Sequence, residues 1–168
     1  RIFQIFQSPG TALTPARRVG PQLLETAQCA GVAPEPAILE ALRTVELDSQ
    51  ILRVFPYQLS GGVKQRILIA MAFILRPDIL IADEPTTGLD VLTERGILGA
   101  LNAMAAETGA TLLFISHDLR AVEAVAERTL VMQAGRIVED VATAEIGASP
   151  APAAQRLLEA ARTLQSAC

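Results

Sequence analysis

Three short polar clusters stand at the ends of apolar segments, and their residue types suit phosphate and metal chemistry. The first cluster, Ser60-Gly61-Gly62, opens a long apolar run. Successive glycines at a helix start let backbone N–H groups approach an anion, and the helix dipole favours negative charge there. The second is Asp83-Glu84, after the apolar residues 79–82, and the third is His117, after residues 111–116.

The second and third clusters could supply a metal ligand and groups that act on water or phosphate. Asp83 can give Mg²⁺ a hard oxygen ligand, while Glu84 can orient or deprotonate water. His117 could contact a terminal phosphate as charge develops on it. Each feature alone also has a plain structural interpretation: a strand entering a turn, a hydrogen-bonded histidine, or a serine-capped helix with a flexible entry. Their combination favours phosphate chemistry.

The elements that must position these clusters form a strand, a helix and a strand. Residues 79–82 and 111–116 are short and apolar and predict buried strands, and residues 91–107 carry one apolar helical stripe between them. Parallel strands in doubly wound sheets end at one crevice. If the two strands are neighbours, Asp83-Glu84 and His117 face that crevice. The predicted fold class is α/β with a mostly parallel sheet.

Further elements are predicted on both sides of this unit, from apolar periodicity and from glycine and proline signals. Ser60 is the expected N-cap of a buried helix that Pro77 ends. The other expected elements are a strand at 1–6 broken by QSPG at 7–10, helices at 21–30, 35–47, 119–127 and about 155–164, and a hairpin at 129–140 turning at Ala134-Gly135.

Composition narrows the functional class. The 168 residues are 51% hydrophobic with a net charge of −4, which favours one globular domain and makes a nucleic-acid surface a poor expectation. Arg17 and Arg18 are interpreted as a solvated face. Cys29 and Cys168 lie far apart, which argues against a zinc site or a disulfide framework and favours a reducing cytosol. The apolar stretch 67–75 is too short to span a bilayer.

Five short motifs resemble those of the nucleotide-binding domain of ABC ATPases, a branch of the P-loop NTPases, and they follow one another in the same order as in that family. The matching segments cover most of residues 3 to 140. They are FQSP at 6–9 for the Q-loop, LSGGVKQR at 59–66 for the signature, ILIADEP at 79–85 for Walker B, TTGLD at 86–90 for the D-loop, and ISHD at 115–118 for the H-loop.

The resemblance implies ATP and Mg²⁺ as cofactors and gives each motif a role. The implied catalytic residues are Glu84 and His117, and Asp90 is the D-loop residue. Asp83 and Gln7 would contact Mg²⁺. The signature residues that would bind a neighbour's nucleotide in trans are Ser60, Gly61, Gly62 and Gln65. The expected organisation is a domain over 1–140, with a helical subdomain at about 17–76 and a catalytic core at about 78–140, followed by a helical tail at 141–168.

Finer similarity points to importers of dipeptides, oligopeptides and nickel, carried by FQSPGTALTP (6–15), VFPYQLSGG (54–62) and IADEPTTGLDV (81–91). It implies an ATPase subunit on the inner face of the cell membrane. Its expected partners are a second ATPase subunit, identical or different, transmembrane permeases and, indirectly, an extracytoplasmic substrate-binding protein. The alternatives are a non-transport ABC ATPase and a non-catalytic subunit that supplies its signature in trans.

A P-loop lysine is missing from these residues. Lys64 is the single lysine, and it lies inside the signature with Gln65 where a P-loop needs Ser or Thr. We therefore expect the natural protein to be longer, and these 168 residues alone neither to bind ATP tightly nor to hydrolyse it.

Overall fold

The computed structural model describes residues 1–149, 152, 154–156 and 158–159. The chain forms two compact units, Arg1–Leu113 and Phe114–Cys168. The helix expected at 155–164 lies largely outside the described residues. Where residues 152–159 are described, they are helical.

Three strands form a sheet with the order β1-β2-β3, and the boundary between the two units falls within the third strand. The strands are β1 (Ile2–Ile5), β2 (Ile79–Asp83) and β3 (Thr111–Ile115). β1 and β2 are parallel, with Ile2 opposite Ile79. All three predicted strands are confirmed, and β2 and β3 are neighbours in the order.

The first unit also contains four α-helices, which are α1 (Val19–Ala30), α2 (Pro34–Thr44), α3 (Gly61–Leu75) and α4 (Val91–Thr108). α2 stops three residues before its predicted end at 47. Glu46 takes a left-handed φ of 54°, and the Leu47 N–H bonds to the Leu42 carbonyl at 2.9 Å, which closes the helix. The helix was predicted to continue to residue 47 because Val45 and Leu47 extend its apolar periodicity. Val45 is buried and Leu47 is partly buried, but neither residue is helical.

α3 is the central helix of this unit. All its residues from Ile67 to Ile74 are buried, because α1, α2, α4 and β1 surround it. Ser60 caps its start, and Arg76, in a left-handed conformation, ends it just before Pro77. The predicted buried helix and its cap are confirmed.

The second unit contains α5 (Leu119–Val125) and an antiparallel hairpin of β4 (Arg128–Gln133) and β5 (Arg136–Ala142). Ala134 and Gly135 both have positive φ, 49° and 75°, as a two-residue type I′ turn requires. The predicted hairpin is confirmed, and α5 ends two residues before its expected end at 127. The core of this unit is Leu119, Val131, Ile146 and Ala154.

Arg17 and Arg18 are exposed, as expected, but each has a specific partner. Arg17 makes two 2.9 Å bonds to the Glu25 carboxylate. Arg18 lies 5.4 Å from the centre of the Phe55 ring, which stacks on Tyr57. Over the described part of the chain, no helix combines the length and apolarity needed to cross a bilayer.

Candidate functional site

The start of α3 presents exposed backbone. Ser60 is extended, and its Oγ accepts the Val63 N–H at 3.4 Å. Ser60 and Gly61 are exposed, whereas Gly62 is buried. The first N–H groups of a helix have no intrahelical partner, so this end suits an anion, as the sequence predicts.

The two glycines at this end have different surroundings. A Cβ on Gly61 would meet only Leu89 Cδ2, at 3.9 Å. A Cβ on Gly62 would collide with the Cγ2 methyl of Thr93, in the first turn of α4. Gly62 is therefore required for the close packing of α3 on α4, a reason that the sequence pattern alone did not reveal.

Gln65 lies deeper in the same helix. Its side chain is 2% exposed, and its Nε2 has no hydrogen-bond partner among the described residues. It is therefore not on the exposed surface formed by Ser60 and Gly61. Its role in nucleotide binding stays a prediction.

Arg66, which sequence reasoning did not select as a functional residue, joins α3 to the end of α2. Its Nη1 donates to the Val45 carbonyl at 2.9 Å and to Glu46 Oε2 at 3.0 Å. The guanidinium also occupies the space beside Gly96 of α4, where a Cβ would collide with it. The one sequence signal for this contact was Gly96 itself, because a glycine in the middle of a helix lowers helix stability and therefore indicates close packing at that position.

Asp83 is the last residue of β2 and Glu84 follows it, and both are partly exposed. Glu84 adopts a left-handed φ of 48°, a conformation that is strained for a side-chain-bearing residue. The Thr87 hydroxyl donates to Glu84 Oε2 at 2.9 Å, and the Thr87 N–H bonds to the Glu84 carbonyl at 3.3 Å. The turn after β2 therefore fixes both the backbone and the carboxylate of Glu84.

Asp90 caps α4 through one carboxylate oxygen and binds the Thr93 hydroxyl with the other. Oδ1 accepts the N–H groups of Leu92 and Thr93 at 3.1 and 3.0 Å, and Oδ2 accepts the Thr93 hydroxyl at 2.7 Å. The Thr93 hydroxyl, and next the Thr93 N–H, hold the pKa of Asp90 below its usual value. The predicted D-loop residue thus has a structural role in this chain.

Gln7 and His117 are both exposed, Gln7 after β1 in the first unit and His117 after β3 in the second. Asp118, next to His117, caps α5 by accepting the Arg120 N–H at 2.9 Å. The Arg120 side chain holds the pKa of Asp118 below its usual value. The roles of Gln7 and His117, and their proximity to the acidic pair, stay predictions.

The donor set can be tested against the expected Mg²⁺. No group of three or more His, Cys, Asp or Glu within the described ranges could hold a metal ion alone. Mg²⁺ beside a nucleotide usually takes one or two carboxylates and completes its shell with water and phosphate oxygens. Asp83, partly exposed at the end of β2, fits that pattern.

Comparison with known proteins identifies the family. The model of the family described as ABC transporter matches residues 7–87. A probable peptide ABC transporter ATP-binding protein, y4tR of Sinorhizobium fredii, is 42% identical over 156 residues, which cover 89% of this chain and 47% of that protein. Over the matched residues, the chain is an ABC transporter ATP-binding domain.

Other ABC relatives give the same result. The oligopeptide transport ATP-binding protein OppD of Salmonella typhimurium is 39% identical over 83% of this chain and 43% of its own length. The glutathione import ATP-binding protein GsiA of Salmonella typhi is 42% identical over 95% of this chain and 27% of its own length. The chain thus spans less than half the length of these relatives.

A solved structure confirms the fold. The ATP-binding cassette MJ0796, described as a dimeric post-hydrolysis state bound to ADP and Pi, has a TM-score of 0.72 and 28% identity, covering 85% of this chain and 63% of its own. The α/β fold of an ABC ATPase, a P-loop NTPase, is therefore confirmed.

Proposed function

We propose that this chain is part of the ATP-hydrolysing subunit of an ABC importer for dipeptides, oligopeptides or nickel. The names of the relatives, which include peptide, oligopeptide and glutathione transport, favour a peptide cargo. The main observation behind this proposal is the exposed start of α3 at Ser60 and Gly61, where a Cβ on Gly61 would lie 3.9 Å from the side chain of Leu89.

In this proposal, the residues act on ATP and Mg²⁺. Asp83 and Gln7 would hold Mg²⁺, which neutralises phosphate charge when bound. Glu84 orients the attacking water and accepts its proton, and His117 donates a hydrogen bond to the terminal phosphate as charge develops. Exposed backbone N–H groups at the start of α3 bind the phosphate of a nucleotide held by a second ATPase chain.

The proposed partners follow from that arrangement. A second ATPase subunit, identical or different, supplies the opposite half of each site, and closure of the pair drives transmembrane permeases. The protein would lie on the cytoplasmic face of the membrane, and an extracytoplasmic substrate-binding protein would deliver the cargo. Nucleic acid is not among the proposed partners, because the net charge is −4.

A second candidate is a non-catalytic subunit that only completes its partner's site. It rests on the exposed signature residues Ser60 and Gly61 alone and needs no action of Glu84 on water. In this case Ser60 would matter for turnover at the partner's nucleotide, and Glu84 would not.

One experiment separates the two candidates. In the full-length protein with its partners, Glu84→Gln keeps the shape of the side chain but removes its charge. Turnover should fall by about 10² to 10³ while ATP binding survives. Glu107→Gln, at an exposed position late in α4, is the matched control and should leave turnover unchanged.

Unchanged turnover in Glu84→Gln would refute the catalytic proposal. If Ser60→Ala then lowered turnover in the same assay, the non-catalytic candidate would stand.

A further inference from the structure

Thr93 joins two motifs that the proposed function treats separately. Its Cγ2 methyl fills the space where a Cβ of Gly62 would lie. Its hydroxyl donates to Asp90 Oδ2 at 2.7 Å, and its N–H donates to Asp90 Oδ1 at 3.0 Å. One short side chain therefore contacts both the signature glycine and the D-loop carboxylate.

These contacts cannot be changed independently. A threonine side chain has one torsion for both its methyl and its hydroxyl, because both groups stand on Cβ. Rotation that moves the methyl away from Gly62 also moves the hydroxyl away from Asp90. A disturbance at the start of α3 must therefore reach the cap of α4.

We propose that Thr93 is a positioning residue that holds Gly62 of α3 and Asp90 of the D-loop in one fixed geometry. The contact itself does not depend on what the protein does, whereas its effect on turnover rests on the proposed function. Because misplacement by about 1 Å can cost about 10²-fold in rate, such a coupling would matter for a site completed in trans.

The neighbouring glycine provides a matched comparison. A Cβ on Gly61 would make only an ordinary contact with Leu89 at 3.9 Å, whereas a Cβ on Gly62 would displace Thr93. The coupling thus predicts different structural effects for the same substitution at two adjacent positions.

The first arm measures hydrogen exchange in the full-length protein without nucleotide. The N–H groups of Leu92 and Thr93 donate to Asp90 Oδ1. Because Gly62→Ala weakens this cap, it should speed hydrogen exchange of the two amides by about tenfold or more. Gly61→Ala should leave these two amides within about twofold of the wild type. Equal exchange in the two variants would overturn the proposal.

The second arm measures ATP turnover with a compensating change. Thr93→Ser removes Cγ2 but keeps the hydroxyl, so in Gly62→Ala/Thr93→Ser one methyl has moved from residue 93 to residue 62. Thr93→Val keeps the clash and loses the hydroxyl. Gly62→Ala should lower kcat by about 10²-fold. The kcat of Gly62→Ala/Thr93→Ser should be at least about tenfold higher than that of Gly62→Ala, whereas the kcat of Gly62→Ala/Thr93→Val should be no higher.

The two arms distinguish the possible failures. A Thr93→Ser double variant no more active than Gly62→Ala would overturn the proposal, as would equal recovery with Thr93→Val. If Gly62→Ala does not fold, the thermal unfolding temperatures of the two double variants are compared instead. Gly62→Ala/Thr93→Ser should unfold at the higher temperature, since only Thr93→Ser makes room for the new methyl group. If the wild type has no turnover that depends on Glu84, the proposed function fails, and hydrogen exchange alone decides the role of Thr93.

Discussion

Replacing Arg66 with methionine tests the contact that joins the signature helix to the end of α2. The Arg66 side chain is 17% exposed, and its Nη1 donates at 2.9 Å to the carbonyl of Val45, a fully buried residue. The same nitrogen pairs with Glu46, whose side chain is 77% exposed. Methionine keeps an unbranched stem but can donate no hydrogen bond.

The size of the effect follows from the surroundings of the two acceptors. A hydrogen bond from a charged donor is worth about 1.5–3 kcal/mol, and an ion pair to an exposed carboxylate about 0–1 kcal/mol. Arg66→Met should therefore cost about 2 kcal/mol, nearly all from the Val45 carbonyl. For a domain of about 150–250 residues that lowers Tm by about 4–8 °C, whereas Glu46→Gln should lower it by at most about 4 °C.

Thermal unfolding of the full-length variants, followed by circular dichroism, checks these values. Gly96→Ala offers an independent test, because its Cβ would collide with the Arg66 guanidinium. It should destabilise the wild type more than the Arg66→Met background, since the two changes act on one contact. A Glu46→Gln shift as large as that of Arg66→Met would refute the assignment of the stabilisation to the buried carbonyl.

Two further predictions concern side-chain contacts at the predicted catalytic motifs. Thr87→Val removes the hydroxyl that donates to Glu84 Oε2 and should lower kcat about tenfold in a steady-state ATPase assay. Thr87→Ser keeps a hydroxyl and should keep most of the activity. Equal kcat values for the two variants would contradict a role of this hydrogen bond in turnover. Because Arg120 lowers the folded-state pKa of Asp118, the stabilisation is complete above the unfolded-state pKa of about 3.9 and is lost as pH falls through the lower folded-state value. Urea unfolding should show Asp118→Asn less stable than wild type at pH 7 and nearly equal to it well below pH 4; a constant difference would contradict this.

Sequence patterns predicted the elements that local physics determines. β2 is a short apolar run followed by acidic residues, and α3 begins at a capping serine and ends before Pro77. The hairpin turn follows from Ala134-Gly135 between two strand-like segments. In each case the signal lies within a few neighbouring residues, so tertiary packing did not need to be known.

The contacts between helices could not be predicted in the same way. Gly62 with Thr93, and Arg66 with Gly96, each join residues about thirty positions apart, and they depend on how α3 lies across α4. Burial of Gln65 is also a tertiary effect, since a signature glutamine gives no local sign of which way it faces. The motifs located the candidate site, but its internal supports became visible only from packing.

The left-handed backbone at Glu84 puts folding and chemistry in opposition at one residue. Such a conformation costs a side-chain-bearing residue about 1–2 kcal/mol, which glycine largely avoids. Glycine at position 84 would thus remove the proposed base while making the native chain easier to form. Glutamine keeps the same backbone cost, so it reports the loss of charge alone. If the proposed role is right, the most favourable residue for folding at this position is one the enzyme cannot use.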